Sequence, residues 1–124
     1  MSDCLFCNIE RDRIIGENQL AYGIRDLFPV TSYHTLVIPK RHVETYFDMT
    51  AKEKLACDEL LTRFKNEILE FDVTVTGFNI GMNAGESAGQ TIFHSHTHLI
   101  PRRDGDVEEP RGGVRGVIAG KQQY

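Results

Sequence analysis

Along one stretch of the chain, apolar residues recur at intervals of three and four; elsewhere they gather in short runs. Cys57, Leu60, Leu61, Phe64, Ile68 and Leu69 form a single stripe of helical period, while Lys52, Lys54, Asp58, Glu59, Lys65 and Glu67 are left for water. The spacing predicts a helix from Thr50 to Glu70. Thr50 and Glu53 stand at capping-box spacing, so each side chain can satisfy an orphan backbone donor of the first turn. On that stripe Cys57 reads as a core residue and not as a reactive thiol.

The remaining apolar runs read as strands: Leu20 to Arg25, Thr35 to Ile38, Gly77 to Met82 and Thr91 to Ile100. Two end at prolines, Pro39 and Pro101, which cannot donate to a ladder. The third runs into a turn-rich segment, Asn83-Ala84-Gly85-Glu86-Ser87-Ala88-Gly89. One long helix and several strands without regular βαβ alternation predict an α+β fold, an antiparallel sheet of about five strands packed with the helix. A tail rich in glycine and charge, 104–124, is expected to be an extended arm or disordered.

The chain has 124 residues, enough for one domain with a single core. Its net charge of −4 argues against a DNA or RNA polymer as partner. A small anionic ligand would need a locally positive site, and basic residues do cluster at Lys40-Arg41, Arg102-Arg103 and Arg111 with Arg115; taken singly, each reads as a solvated surface charge. The opening Met1-Ser2-Asp3-Cys4 has no basic flank or apolar stretch of signal-peptide length. Apolar runs such as Thr35-Leu36-Val37-Ile38 are too short to span a bilayer. Three cysteines make no even disulfide set. A cytoplasmic protein with no membrane partner is expected.

The chemistry concentrates in His94-Ser95-His96-Thr97-His98. On a strand these histidines would share one face, with neighbours about 6.6 Å apart. Two readings compete: a metal site that activates water, or a histidine nucleophile oriented by its neighbours. Spacing alone does not choose. The loop directly upstream, with Gly85, Gly89 and Gln90, can bring backbone donors close to a phosphate and favours phosphorus chemistry.

The run Gln90-Thr91-Ile92-Phe93-His94-Ser95-His96-Thr97-His98-Leu99-Ile100 resembles the signature of the histidine triad (HIT) superfamily. The likeness extends upstream. Asp26 lies ahead of His34, Thr35-Leu36-Val37-Ile38-Pro39-Lys40-Arg41-His42 is similar to the family's strand ending in proline, a basic pair and histidine, and Asn83 to Gln90 is similar to its phosphate loop. It covers about Cys4 to Arg103, which implies a HIT domain at 1–103 followed by the 104–124 arm. Ser95 and Thr97 depart from the apolar residues usual between the triad histidines and put the packing of the opposite face in question.

The resemblance implies a nucleotide hydrolase or nucleotidyltransferase acting on nucleoside phosphoramidates or dinucleoside polyphosphates. His96 would attack the α-phosphate and form a nucleotidyl-histidine intermediate. His98 and His34 would bind and neutralise phosphoryl oxygens, and Asn83, Gly89, Gln90 and Thr91 would hold phosphate or leaving group. Asp26 would accept hydrogen bonds from a ribose diol, against the plainer reading of a turn residue before Pro29. An apolar pocket including Phe6 and Ile24 would take the base, a purine. The alternatives are a dinucleoside polyphosphate phosphorylase and a nucleotide-binding partner protein with little turnover.

Cys4-Leu5-Phe6-Cys7 can chelate a metal from one short loop. At the extreme N-terminus it lacks the βαβ setting of a redox motif. A closed structural zinc site needs two further ligands. The resemblance supplies His42 and His94, with a pair of buried thiols as the alternative. It also implies a homodimer, with the helix from Thr50 as a contact. The arm, apolar at Val114, Val117 and Ile118, is expected to cross to the partner and bring Arg111 or Arg115 near its phosphate site.

Overall fold

A computed structural model describes residues 3–124. Strands β1 (Ile14–Glu17), β2 (Ala21–Arg25) and β3 (Thr35–Pro39) precede helix α1 (Ala51–Phe71), and β4 (Val75–Gly81) and β5 (Thr97–Arg103) follow it. They form one antiparallel sheet in the order β1-β2-β3-β5-β4. The α+β architecture is the expected one.

Helix α1 starts where the capping box predicts. The Thr50 side chain accepts from the Glu53 amide at 3.1 Å, and the Glu53 carboxylate accepts from the Thr50 amide at 2.8 Å. Its buried stripe is Glu53, Ala56, Cys57, Leu60, Phe64 and Ile68. Leu69, expected on the stripe, is 37% exposed at its margin. Burial pushes the Cys57 thiol up to about 12, which leaves it a protonated core residue.

Alternation along the strands builds two cores. Ala21, Val37 and Leu99 face α1 with Phe64 and Ile68. Tyr22, Ile24, Leu36 and Ile38 face the other way and are covered by Phe6 and the N-terminal segment. Thr97 lies opposite Val37 and is buried, so this departure from an apolar pattern is accommodated in the sheet. The Ser95 hydroxyl, also buried, rests on the Met49 sulfur at 3.4 Å.

Both ends of the last strand differ from expectation, and β4 begins two residues earlier than expected. The last strand begins at Thr97, not Thr91, and continues through Pro101. Pro101 pairs with Phe78 of β4, while its carbonyl accepts the Thr31 hydroxyl at 2.6 Å. In an antiparallel strand a residue's N–H and C=O share a side, and β3 pairs with β5 only as far as Leu99. The missing N–H of Pro101 therefore falls where no ladder needs it. Strand β1 was not expected: it is short, lies at the sheet edge and carries an irregularity between Ile14 and Gly16.

The arm of 104–124 returns along β4. Its 3-10 turn, Gly113–Val117, packs on that strand, and Arg111 and Arg115 lie over the Tyr124 ring at 4.4 and 5.2 Å.

Gly23 lets Phe64 lie directly on the β2 backbone. A Cβ there would meet the Phe64 ring at 2.2 and 2.5 Å, and Phe64 is wholly buried. Gly23→Ala should therefore cost about 1–3 kcal/mol of overpacking. Urea denaturation would measure the loss, and in a double-mutant cycle with Phe64→Leu the two losses should add to less than their sum. An unchanged midpoint in Gly23→Ala would contradict the packing.

Candidate active site

His98 stands opposite Leu36 in the β3–β5 register. Cross-strand neighbours share a face, so His98 emerges on the face away from α1, above the Phe6–Leu36 core. His34 enters from the loop before β3, and its Nε2 lies 2.8 Å from His98 Nδ1. The His96 and His98 rings are 5.3 Å apart, and the Phe6 ring stands edge-on to His96 at 5.0 Å. The structure therefore brings His34, His96 and His98 together, although only His98 of the three lies within a strand.

His94 explains why the ladder stops. Its ring is fully buried, and its Nε2 donates to the Pro39 carbonyl at 2.7 Å. The Ser95 amide donates to the Val43 carbonyl at 2.7 Å instead of continuing the sheet. The run before Thr97 is thus held by a ring and a loop, not by strand pairing.

Backbone partners fix the tautomers. A carbonyl only accepts, so His94 Nε2 and His96 Nδ1 each carry a proton, the latter on the His94 carbonyl at 2.9 Å. In the neutral rings His94 Nδ1 and His96 Nε2 then keep lone pairs. A backbone N–H only donates: Val30 donates to His34 Nδ1 at 3.0 Å, which puts the His34 proton on Nε2. That proton goes to His98 Nδ1, so neutral His98 carries its own on Nε2.

Burial favours neutrality. It is the largest cause pushing His98 down to about 4, assisted by His96 and His34 and opposed by Asp26. Burial also lowers His34, with Asp26 opposing at 3.5 Å. Asp26 accepts the Phe28 amide through Oδ1 at 2.8 Å and turns Oδ2 to His34. It is at once a turn residue and a neighbour of the histidines. Between the two sits Tyr33 at φ 71, a left-handed conformation rare for a bulky residue, with Arg25 over its ring at 5.4 Å.

Cys4, Cys7, His42 and His94 bring four ligand atoms within 4.8 Å of one another. Cys4 Sγ and Cys7 Sγ lie 3.3 and 3.5 Å from His94 Nδ1, and Cys7 Sγ lies 3.3 Å from His42 Nδ1. Tetrahedral zinc, with bonds of about 2.0 Å to nitrogen and about 2.3 Å to sulfur, separates its ligands by about 3.5 Å. The donor set fits, and the His94 lone pair already points at both sulfurs. The Tyr22 hydroxyl holds the chelating loop through the Phe6 carbonyl at 2.5 Å. Asp26, His34 and His98 also lie within metal-ligand distance of one another. There, however, His34 Nε2 carries the proton that Val30 forces onto it and has no lone pair to offer.

In the glycine-rich loop, Gly85 and Gly89 both take φ 98, and Gly89 lies beside the Asn83 amide. Thr91 is exposed at the end of this loop. The Gln90 side chain, expected to reach a phosphate, is only 2% exposed and is committed to backbone groups. Phe6 and Ile24 are buried in the second core, so they can underlie a base but expose little surface to it. The basic clusters are also occupied: Lys40 on Glu17, Arg41 on Glu53, Arg102 on Asp106 and Arg103 on Asp72. Sequence reasoning missed Val30, Tyr22 and the Val43 carbonyl. Two of these act through the backbone, which leaves no side-chain signal.

A family model described as HIT domain matches residues 9–105. An uncharacterized 16.1 kDa HIT-like protein of Mycoplasma pneumoniae is 37% identical over 82% of this chain and 72% of its own. Adenylylsulfatase HINT3 of Arabidopsis thaliana is 35% identical over 85% of this chain and 55% of its own. The crystal structure of a zinc-bound histidine triad family protein from Mycobacterium smegmatis superposes with a TM-score of 0.75 at 34% identity, covering 84% of this chain and 78% of that one.

The lowered His98 value predicts a stability that depends on pH. With its folded-state value at about 4, His98 takes up its proton more readily in the unfolded chain. Stability should thus fall as pH drops from about 6.5 towards 4 and be unaffected by this group above that window. Thermal melts across the range should show the decline, and His98→Asn should make it shallower. An identical slope in the variant would contradict the burial effect.

Proposed function

The chain belongs to the HIT domain family, and from that premise we propose that it is a nucleotide hydrolase or nucleotidyltransferase whose nucleophile is His96. The observation that carries this reading is the His96 tautomer: Nδ1 is held by the His94 carbonyl, and Nε2 keeps its lone pair. That nitrogen attacks the α-phosphorus, forming a P–N bond as the bond to the leaving group breaks and the leaving group takes the electron pair. Water or another acceptor then attacks phosphorus and returns the pair to Nε2. The adenylylsulfatase relative supports nucleotide processing.

The other residues bind and position. His98 offers its Nε2–H to a phosphoryl oxygen, and His34, fixed by Val30, holds His98 in that orientation. Asn83 and Thr91 supply further phosphate donors, whereas the Gly85 and Gly89 N–H groups are already taken by Gln90 Oε1 and the Glu86 carbonyl; Asp26 keeps acceptor capacity for a ribose diol. The substrate is a small nucleotide with a purine base, bound as a phosphoramidate or a dinucleoside polyphosphate. Transfer to phosphate would mark a phosphorylase, and binding without product a partner protein with little turnover.

Zinc fits the Cys4, Cys7, His42 and His94 set as a structural ion. When bound it cross-links the N-terminal loop to the triad segment, and His94 passes that constraint to His96 through its carbonyl. The zinc-bound relative supports this assignment. In a homodimer, the exposed Leu55 and Phe71 of α1 would gain cover from the second copy. The 1–103 domain would carry the chemistry, and the 104–124 arm would reach the partner's phosphate site.

His96→Asn should lower turnover of adenosine phosphoramidate by orders of magnitude while equilibrium dialysis still detects nucleotide binding. Retention of more than a small fraction of the wild-type rate would rule out the covalent route. Elemental analysis of untagged protein should find one zinc per chain, and Cys4→Ser should lower both zinc content and melting temperature. A metal-free protein of undiminished stability would remove the metal assignment.

A further inference from the structure

The side-chain amide of Gln90 has one acceptor oxygen and two donor hydrogens; the oxygen is engaged and both hydrogens are spent. Oε1 accepts the Gly85 amide at 2.8 Å. Nε2 donates to the Glu44 carbonyl at 2.6 Å and to the Ile92 carbonyl at 3.1 Å. Its own backbone N–H donates to the Gly85 carbonyl at 3.1 Å. Gly85 and Gln90 thus clasp each other, closing a loop that contains the 3-10 turn Glu86–Ala88.

The three segments so joined are those whose relative placement sets the site. Gly85 belongs to the glycine-rich loop and Ile92 to the entry of the histidine run. Glu44 lies just beyond His42 and adjoins Val43, whose carbonyl takes the Ser95 amide. No other side chain serves as well at this position. Asparagine is one methylene too short for the same span. Glutamate would turn a second acceptor oxygen towards two carbonyls, and methionine would keep the length but leave three backbone groups unmet.

We propose that Gln90 is a positioning residue: its amide pins the glycine-rich loop against the histidine run and does not touch substrate or leaving group. This deepens the nucleotide-transfer reading and rests on it for its kinetic test. A group that bonds the leaving group matters more as that group becomes harder to expel. A pin that misplaces the phosphate site when removed lowers the rate for every leaving group alike.

The test uses the full chain as Gln90→Met and Gln90→Glu, with adenosine phosphoramidates whose amine leaving groups span a range of basicity. Both variants should lose about 100-fold in kcat/KM, as displacement of a reacting geometry by an ångström does. The loss should be the same for each leaving group, so the dependence of rate on leaving-group basicity keeps its wild-type slope. In Gln90→Met, which offers the Gly85 N–H no oxygen, hydrogen exchange at that amide should quicken roughly tenfold or more. A loss that grows with leaving-group basicity overturns the proposal, and so does unchanged Gly85 exchange in Gln90→Met. Should neither variant fold, wild-type NMR decides: the Gln90 side-chain NH2 stays protected and unshifted when adenosine monophosphate binds if it is a pin, and moves if it touches the ligand. If the wild type cleaves no nucleotide at all, the nucleotide-transfer reading fails by itself, and Gly85 exchange still decides whether Gln90 pins the loop.

Discussion

The buried bond from His94 Nε2 to the Pro39 carbonyl joins three parts of this molecule. It occupies the end of β3 at the point where β5 leaves the ladder, because β3 pairs with β5 only from Thr35 to Val37. It consumes the ring's one proton, so the opposite nitrogen faces Cys4 and Cys7 with a lone pair. The same residue's carbonyl takes the His96 proton. The end of the β3–β5 ladder, the candidate metal ligand set and the proposed nucleophile therefore share a single orientation. Rotating that ring would disturb all three.

Around it the electrostatics run against a simple expectation for a phosphate site. Arg41, Arg102 and Arg103 each have a carboxylate partner, and Arg41 and Glu53 are bound bidentately at 2.9 and 2.8 Å beneath the helix N-terminus. Glu53 is held down to about 2 by that guanidinium, so the pair stays ionised and structural. What remains for an anion is a set of neutral donors: imidazole N–H groups and loop amides. Neutral donors aimed at one place suit charge that appears during a reaction, since they need no counterion and no reorganisation. A cationic pocket would also bind the product phosphate tightly in the ground state and gain nothing in rate.

The helix was legible because the Thr50 and Glu53 cap and the Cys57–Phe64–Ile68 period are local signals. The central strands were legible from β-branched and apolar runs ended by proline. The candidate site residues could be named from their resemblance to the family's motif. Their geometry could not. Period two in His94, His96 and His98 reads as one strand, yet His94 turns into the cysteine cluster, and a buried ring on a carbonyl leaves no pattern in sequence. Pro101 reads as a stop, yet the strand passes through because the neighbouring strand has already ended there. Gly23 carries no signal of its own within the Leu20 to Arg25 run; its meaning comes from Phe64, which is distant in sequence and close in space.

Gln90 shows most clearly how residue type and role separate. An amide beside two glycines and ahead of three histidines is chemically able to bind phosphate, and composition offers no reason to prefer another use. The deciding quantity is how many of its hydrogens are already taken. Satisfying three backbone groups at once is worth more to a buried loop than one further contact to a ligand, because each unmet buried group carries its full desolvation cost. Moving Gln90 to reach a phosphate would release Gly85, Glu44 and Ile92 together. The loop thus gains a fixed shape before any nucleotide arrives, and backbone N–H groups of a fixed loop can serve where a side chain would have had to swing. That is the sense in which a buried glutamine, touching nothing outside the protein, shapes the site beside it.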